Sequence, residues 1–267
     1  MLLRKEPWAL SSSPSFELRG LPRVTRLDDR LAHRDDLERG RRELSARFSI
    51  SPLLTLKAGE FPVAAPGSKN AIYHLVTGWI CQIHDFSDGR QAIVDIYLPG
   101  EVIGLDADFR VRPFETFMAL TSIAMAGISS EITLADLMSS QPVALYIAWL
   151  LGQRLRRSNH LLAAMSSHNA QRRLAAMLCD FYKRLSRQKL VTRSTYNLPL
   201  TQTQIGSYLG LTVAHVNRVL RSLREDRIVS VEKHCVTILD LEQLTKLVKN
   251  GNDGFHGSLT SSLRSAD

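Results

Sequence analysis

Cysteine is scarce: Cys81, Cys179 and Cys235 are the three in 267 residues, far apart and without a CxxC pair. That spacing supports neither a disulfide framework nor a cysteine-based zinc site, and an iron–sulfur cluster held by four thiolates fails on the count. No run approaches the roughly 18 consecutive apolar residues that cross a bilayer. The opening residues carry Arg4, Lys5, Glu6 and Pro7 where a secretory leader needs an apolar segment. A soluble, cytoplasmic chain with no membrane partner is the expectation. GxSxG, HExxH, phosphate-loop and GxGxxG patterns are all missing, so the expectation is that the chain is not an enzyme. Asp106 and Asp108 have no third ligand or positioned base and read as a solvated loop. His74, His84, His160 and His168 show no tight ligand spacing and read as surface or hinge residues rather than metal or haem ligands. No cofactor is expected.

Acidic residues are also thinly spread after the midpoint. Residues 1–149 hold 16 Lys/Arg and 18 Asp/Glu, whereas residues 150–250 hold 17 and 6, a balance of +11. A basic half joined to a slightly acidic one is the footprint of a nucleic-acid module fused to something else. Charge alone gives salt-sensitive, unselective binding, so specificity has to come from a motif.

Five segments follow from composition and periodicity. Residues 1–47 form a charge-mixed extension in which Leu27, Leu31, Leu37 and Leu44 leave a narrow apolar stripe, enough for a short helix preceded by disorder. Residues 48–140 hold short β-branched and aromatic runs between glycine turns. The clearest are 79–86 and 91–98, which flank Ser87-Asp88-Gly89-Arg90, a tight-hairpin signal. This predicts an antiparallel roll or barrel. Residues 141–167 predict one long helix with Pro142 in its first turn. Along it Ala144, Ala148, Leu151, Leu155, Ser158, Leu162 and Met165 alternate spacings of four and three. That run fits a coiled-coil seam with a partner helix, most simply in a homodimer, or a helix packed on its own domain. Leu151, Leu155, Leu162 and Met165 are the candidate dimer contacts. Ser166 to Asn169 reads as a hinge. Residues 168–245 predict a winged helix-turn-helix, entered through a helix from Ala170 to about Arg187 and a polar link from Gln188 to Asn197. Residues 246–267, rich in Gly and Ser, predict a flexible tail.

The motif spans residues 199–226. Thr201 with Gln204 three residues later is a capping box, so a helix begins at Gln202 with Ile205 and Leu209 inward. Gly206 allows a close helix crossing, and Gly210 supplies the left-handed stop. Thr212 caps a second helix with Val216, Val219, Leu220 and Leu223 inward and Val213, Ala214, His215, Asn217, Arg218 and Arg221 outward. A helix so presented puts its first turns into the major groove. Arg218 can donate to O6 and N7 of one guanine, while Thr201, Gln202, Thr212 and His215 lie where phosphates pass. Two strands, 228–231 and 235–239, make a wing with Lys233 at its tip. Cys235 in that wing could add charge near DNA if oxidised, and Cys81 and Cys179 read as inert core residues.

With these elements in order, the chain resembles the Crp/Fnr family of bacterial transcription regulators over residues 48–245. The motif T-Q-T-Q-I-G-S-Y-L-G-L-T-V-A-H-V-N-R-V-L-R-S-L looks like that family's helix-turn-helix, and Y-L-P-G-E-V-I-G-L-D at 97–106 resembles the end of its sensor roll. The resemblance implies an α+β chain: an N-terminal antiparallel β-roll like a cyclic-nucleotide-binding domain (a double-stranded β-helix), a long dimerisation helix and a C-terminal winged helix-turn-helix. It also implies a homodimer on a palindromic double-stranded operator, with RNA polymerase as a partner. Arg218 matches the guanine-reading arginine, and Val213 and Asn217 match base-facing positions of the Fnr-like branch. Ala214 departs from the usual glutamate. Where cyclic-nucleotide-binding members carry Arg-Ser or Arg-Thr after the Gly-Glu matched by Gly100 and Glu101, this chain has Pro113-Phe114, with Arg110 and Arg112 nearby. No cysteine cluster precedes Cys81. The pattern that remains is similar to FixK-type members, for which no bound effector need be assumed. The alternative is a sensor of the same fold gated by a small molecule or by redox.

Overall fold

The computed structural model describes residues 33–60, 72–105, 115–128, 132–166 and 169–249. Asp106, Asp108, Arg110, Arg112, Pro113, Phe114, His168 and the stretches 1–32 and 250–267 lie outside the described residues. Helix α1 (Arg34–Ser49) runs through the boundary drawn at residue 47 and buries Leu37, Leu44 and Phe48. At Gly40 a Cβ would sit 1.9 Å from the Pro142 carbonyl oxygen, so only glycine lets the two backbones approach this closely.

Seven short strands follow among the described residues: β1 (Leu53–Leu56), β2 (Tyr73–Thr77), β3 (Ile80–Asp85), β4 (Gln91–Tyr97), β5 (Val102–Ile103), β6 (Glu115–Ala119) and β7 (Ile123–Gly127). They form two antiparallel sheets, ordered β1-β7-β2-β5 and β4-β3-β6. The β3–β4 hairpin turns where expected. Gly89 takes φ 82°, and Asp88 accepts a hydrogen bond from the Arg90 amide at 3.1 Å. Leu75, Ile80, Tyr97, Ile103, Phe117 and Met125 fill the roll between the sheets.

Helix α2 (Leu134–Met138) starts at a Thr133–Asp136 capping box, and α3 (Gln141–Met165) has Pro142 in its first turn. Val143, Tyr146 and Ile147 of α3 share a core with α1 and the roll. Helix α4 (Ala170–Arg187) is capped by Asn169, whose side chain accepts from the Gln171 and Arg172 amides. Then come β8 (Thr195–Asn197), α5 (Gln202–Leu209), α6 (Val213–Glu225), β9 (Val229–Glu232), β10 (Cys235–Ile238) and α7 (Leu241–Lys249). The wing has three strands in the order β8-β10-β9, not two. Its third strand lies in the stretch read as a polar link, and α7 continues past the boundary drawn at residue 245. No helix among the described residues is long and apolar enough to cross a membrane.

Strand β3 is buried on both faces because its residues alternate between two cores. Ile80 points into the roll. Cys81 and Ile83 join Ile93, Ile96 and Leu98 against Leu174, Leu178 and Phe181 of α4 and Ile205 and Leu209 of α5. The roll and the helix-turn-helix unit therefore share one core. The Ile93 amide on β4 donates to Ser207 Oγ on α5 at 3.1 Å. Arg184 of α4, only 6% exposed, donates to Glu101 Oε1 at 2.9 Å and Oε2 at 2.6 Å. It also donates to Asp180 and to the Ile96 carbonyl. Burial pushes the Glu101 carboxyl up, but the Arg184 and Arg157 charges outweigh it and hold its pKa below the ordinary value. Burial likewise pushes the Cys81 and Cys179 thiols up to about 11, which leaves both un-ionised near neutrality.

His74 corrects the reading of the histidines as surface or hinge groups. It is buried on β2 beside Phe48, and its Nε2 has no hydrogen-bond partner among the described residues. Burial lowers its pKa from 6.5 to about 4. The unfolded chain therefore takes the proton first. The stability is intact above pH 6.5 and is lost as pH falls from there through about 4, a swing of about 3 kcal/mol at 1.36 kcal/mol per unit. Urea unfolding followed across this range is expected to show that loss in the wild type and a much flatter profile in His74→Leu. Equal pH dependence in the two proteins would contradict the burial of a neutral imidazole.

Candidate nucleic-acid interface

The turn between α5 and α6 is built as its sequence requires. Thr201 Oγ1 accepts from the Gln204 amide at 3.2 Å, and the Thr201 amide donates to Gln204 Oε1 at 2.8 Å. Gly210 ends α5 at φ 62°, in the left-handed region, and its neighbour Leu211 donates its amide to the Gly206 carbonyl at 2.9 Å. A Cβ on Gly206 would meet the Leu211 carbonyl oxygen at 2.5 Å, so the small residue sets the crossing. Thr212 caps α6 by accepting from the His215 amide at 3.3 Å, and its hydroxyl also meets His215 Nδ1 at 3.1 Å. The hydroxyls of Thr201 and Thr212 and the His215 ring thus serve the helix starts while remaining exposed.

Burial divides α6 into two faces. Val216, Val219 and Leu223 are inside, with Leu220 half-buried, while Val213, Ala214, His215, Asn217, Arg218 and Arg221 are exposed. Thr201 and Gln202 at the start of α5 are exposed as well. Two helix N-termini therefore open to solvent, each with unpaired amides and a partial positive charge suited to phosphate. No hydrogen bond or ion pair holds the Arg218 guanidinium among the described residues. Lys233 and His234 form the β9–β10 turn with φ of 46° and 64°, which leaves Lys233 exposed at the tip. Arg224 anchors the wing to α6 through the Val231 carbonyl at 3.2 Å.

The candidate dimer residues lie elsewhere, on α3. Leu151, Leu155 and Leu162 are 40%, 62% and 63% exposed. Ala148 and Ser158, on the same stripe, are exposed too. Ala148, Leu155, Ser158 and Leu162 thus form a stripe exposed among the described residues, while the other side of the helix packs on the roll and α1 through Val143, Tyr146 and Ile147. Met165 differs: it is half-buried, and its Cε would lie 3.4 Å from a Cβ on Gly210, so it packs on the turn of the motif.

Two contacts at the joint were not foreseen. Ser207 gives no sign in the sequence of its bond to β4. Arg184 does give one, because it falls among Met177, Phe181 and Leu185 on the buried face of α4. Among the described residues no group of three or more His, Cys, Asp or Glu could hold a metal ion.

The model of the Crp-like helix-turn-helix domain matches residues 172–247. The anaerobic regulatory protein of Haemophilus influenzae is 30% identical over 184 residues, 68% of this chain and 71% of that protein. The fumarate and nitrate reduction regulatory protein of Yersinia pestis is 26% identical, over 73% and 78% of the two chains. Among solved structures, FixK2 from Bradyrhizobium japonicum is similar with a TM-score of 0.64 at 22% identity, over 74% of this chain and 97% of that one.

Proposed function

The chain belongs to the Crp/Fnr family of transcription regulators, and on that premise we propose that it binds a two-fold symmetric operator in duplex DNA as a homodimer, without cyclic AMP or an iron–sulfur cluster. The exposed, capped face of α6 carries the reading. It offers Arg218 and Asn217 to base edges, flanked by two open helix starts and the Lys233 tip. We assign base contact to Val213, Ala214, Asn217 and Arg218. Thr201, Gln202, Thr212, His215, Arg221 and Lys233 take phosphate contact. Residues 141–167 are the dimerisation helix, pairing through Leu151, Leu155 and Leu162. Residues 48–140 form the roll and 168–245 the DNA-binding domain. RNA polymerase is the partner implied by the family, and the cytoplasm the compartment.

Two features support independence from the usual effectors. Pro113-Phe114 stands where cyclic-nucleotide-binding members carry a phosphate-gripping arginine pair, and three cysteines fall one short of a four-thiolate cluster. Operator affinity, read by fluorescence anisotropy, is therefore expected to be the same with and without millimolar cyclic AMP. A tenfold tightening by cyclic AMP would overturn that part of the reading. One observation favours a ligand-gated form of the same function: roll and helix-turn-helix share a core, with an arginine-lined cleft at the joint.

A further inference from the structure

Where the roll, α3 and α4 meet there is a cleft of about 60 Å³, lined by Arg154, Arg157, Arg184 and Arg187, one carboxylate, Glu101, and apolar walls that include Trp149 and Leu150. Two of these arginines are committed. Arg154 donates to Asp95 at 3.1 Å and to Gln82 at 2.6 Å, and Arg184 takes both Glu101 oxygens together with Asp180. Arg157 is different. Its side chain is 25% exposed, yet among the described residues its one ionic contact is a 3.5 Å approach to Glu101 Oε1, with no hydrogen bond. Glu101 has little left to offer, since its Oε2 also accepts from the Leu98 amide at 3.2 Å.

A guanidinium carries five N–H donors in a planar fork that fits a carboxylate by two parallel hydrogen bonds. The Arg157 side chain is three-quarters buried, yet none of its nitrogens is buried without a partner among the described residues, so the fork stays open to the cleft that it lines and can take a small anion there. A space of about 60 Å³ takes water-sized groups, and a carboxylate head is of that size. The apolar walls suit a short alkyl chain.

We propose that this cleft is a binding site for a small aliphatic carboxylate, whose two oxygens take the Arg157 fork while its alkyl chain lies on Trp149 and Leu150. The site stands on the geometry of the joint and does not depend on the DNA-binding reading. It touches the three elements whose docking fixes where α6 is presented, so occupancy bears directly on the helix-turn-helix.

Isothermal titration of the full chain with sodium butyrate, at constant ionic strength, tests this without DNA. Saturable binding of one butyrate per protomer is expected, with a Kd in the millimolar range. Arg157→Gln, which gives up no hydrogen bond on folding, is expected to weaken it at least tenfold. Arg157→Lys keeps the charge but not the fork and should weaken it as well, and butyramide, uncharged and of the same shape, should not bind. Absence of saturable heat, equal binding by both Arg157 variants and the wild type, or equal binding of butyramide would overturn the site.

Discussion

Arg218→Ala is expected to erase discrimination at one guanine in each half-site while leaving a salt-sensitive background on any duplex. Arg218 stands on the second turn of α6, exposed, with no internal partner to break among the described residues. Its loss therefore costs the fold little. A bidentate arginine–guanine pair is worth about 1–3 kcal/mol against the wrong base. A dimer loses two such pairs, so specific affinity should fall by roughly 30-fold to 20,000-fold if the two add. The background survives because the basic half of the chain still releases counterions from the phosphates. Arg218→Lys separates charge from shape: it should keep the background and lose the discrimination, because an ammonium cannot form the fork. Both quantities come from anisotropy titrations against a specific and a scrambled duplex. Equal loss on the two duplexes would remove Arg218 from base reading.

Leu155→Asp is expected to give monomers and to weaken operator binding by more than two orders of magnitude. Leu155 is 62% exposed in the single chain, with Leu151 and Leu162 one step before and beyond Ser158 on the same stripe. Burying a leucine fully contributes about 1.5–3 kcal/mol, and a symmetric pair of helices buries each position twice. An aspartate there faces its own symmetry mate, two like charges withdrawn from water. A monomer also loses the gain that links the second half-site to the first. Because Leu155 is 62% exposed and belongs to no core cluster among the described residues, the variant's thermal unfolding should stay cooperative. Sedimentation velocity reads the oligomeric state directly, and an intact dimer would refute the seam.

The helix-turn-helix was legible because its signals are local. The Thr201–Gln204 box, the left-handed Gly210 and the Thr212 cap each satisfy backbone groups within a few residues, and those needs can be read from spacing alone. The β3–β4 hairpin was legible for the same reason. Strand β8 was not, because Thr195-Tyr196-Asn197 offers one buried side chain between two polar ones, and its pairing with β10 lies about forty residues away. The docking of the two units was hidden more deeply. The run Ile80-Cys81-Gln82-Ile83 shows that β3 is buried on both sides, yet not what covers the second side. The role of Arg184 is not legible from its spacing alone, because a charge counts as surface until its partner is known, and Glu101 lies 83 positions away. The leucine stripe on α3 is legible from its spacing, and its exposure at Leu151, Leu155 and Leu162 agrees with that spacing, whereas Met165 packs on the turn of the motif.

The central claim is sequence-specific recognition of a two-fold site by paired α6 helices, and selection from a pool of randomised duplexes by the purified protein, with no ligand added, tests it most directly. The expected product is a palindrome with a guanine in each half-site, the half-sites about one helical turn, roughly 10 base pairs, apart. Binding that stays unselective through successive rounds and vanishes as salt is raised would contradict the claim.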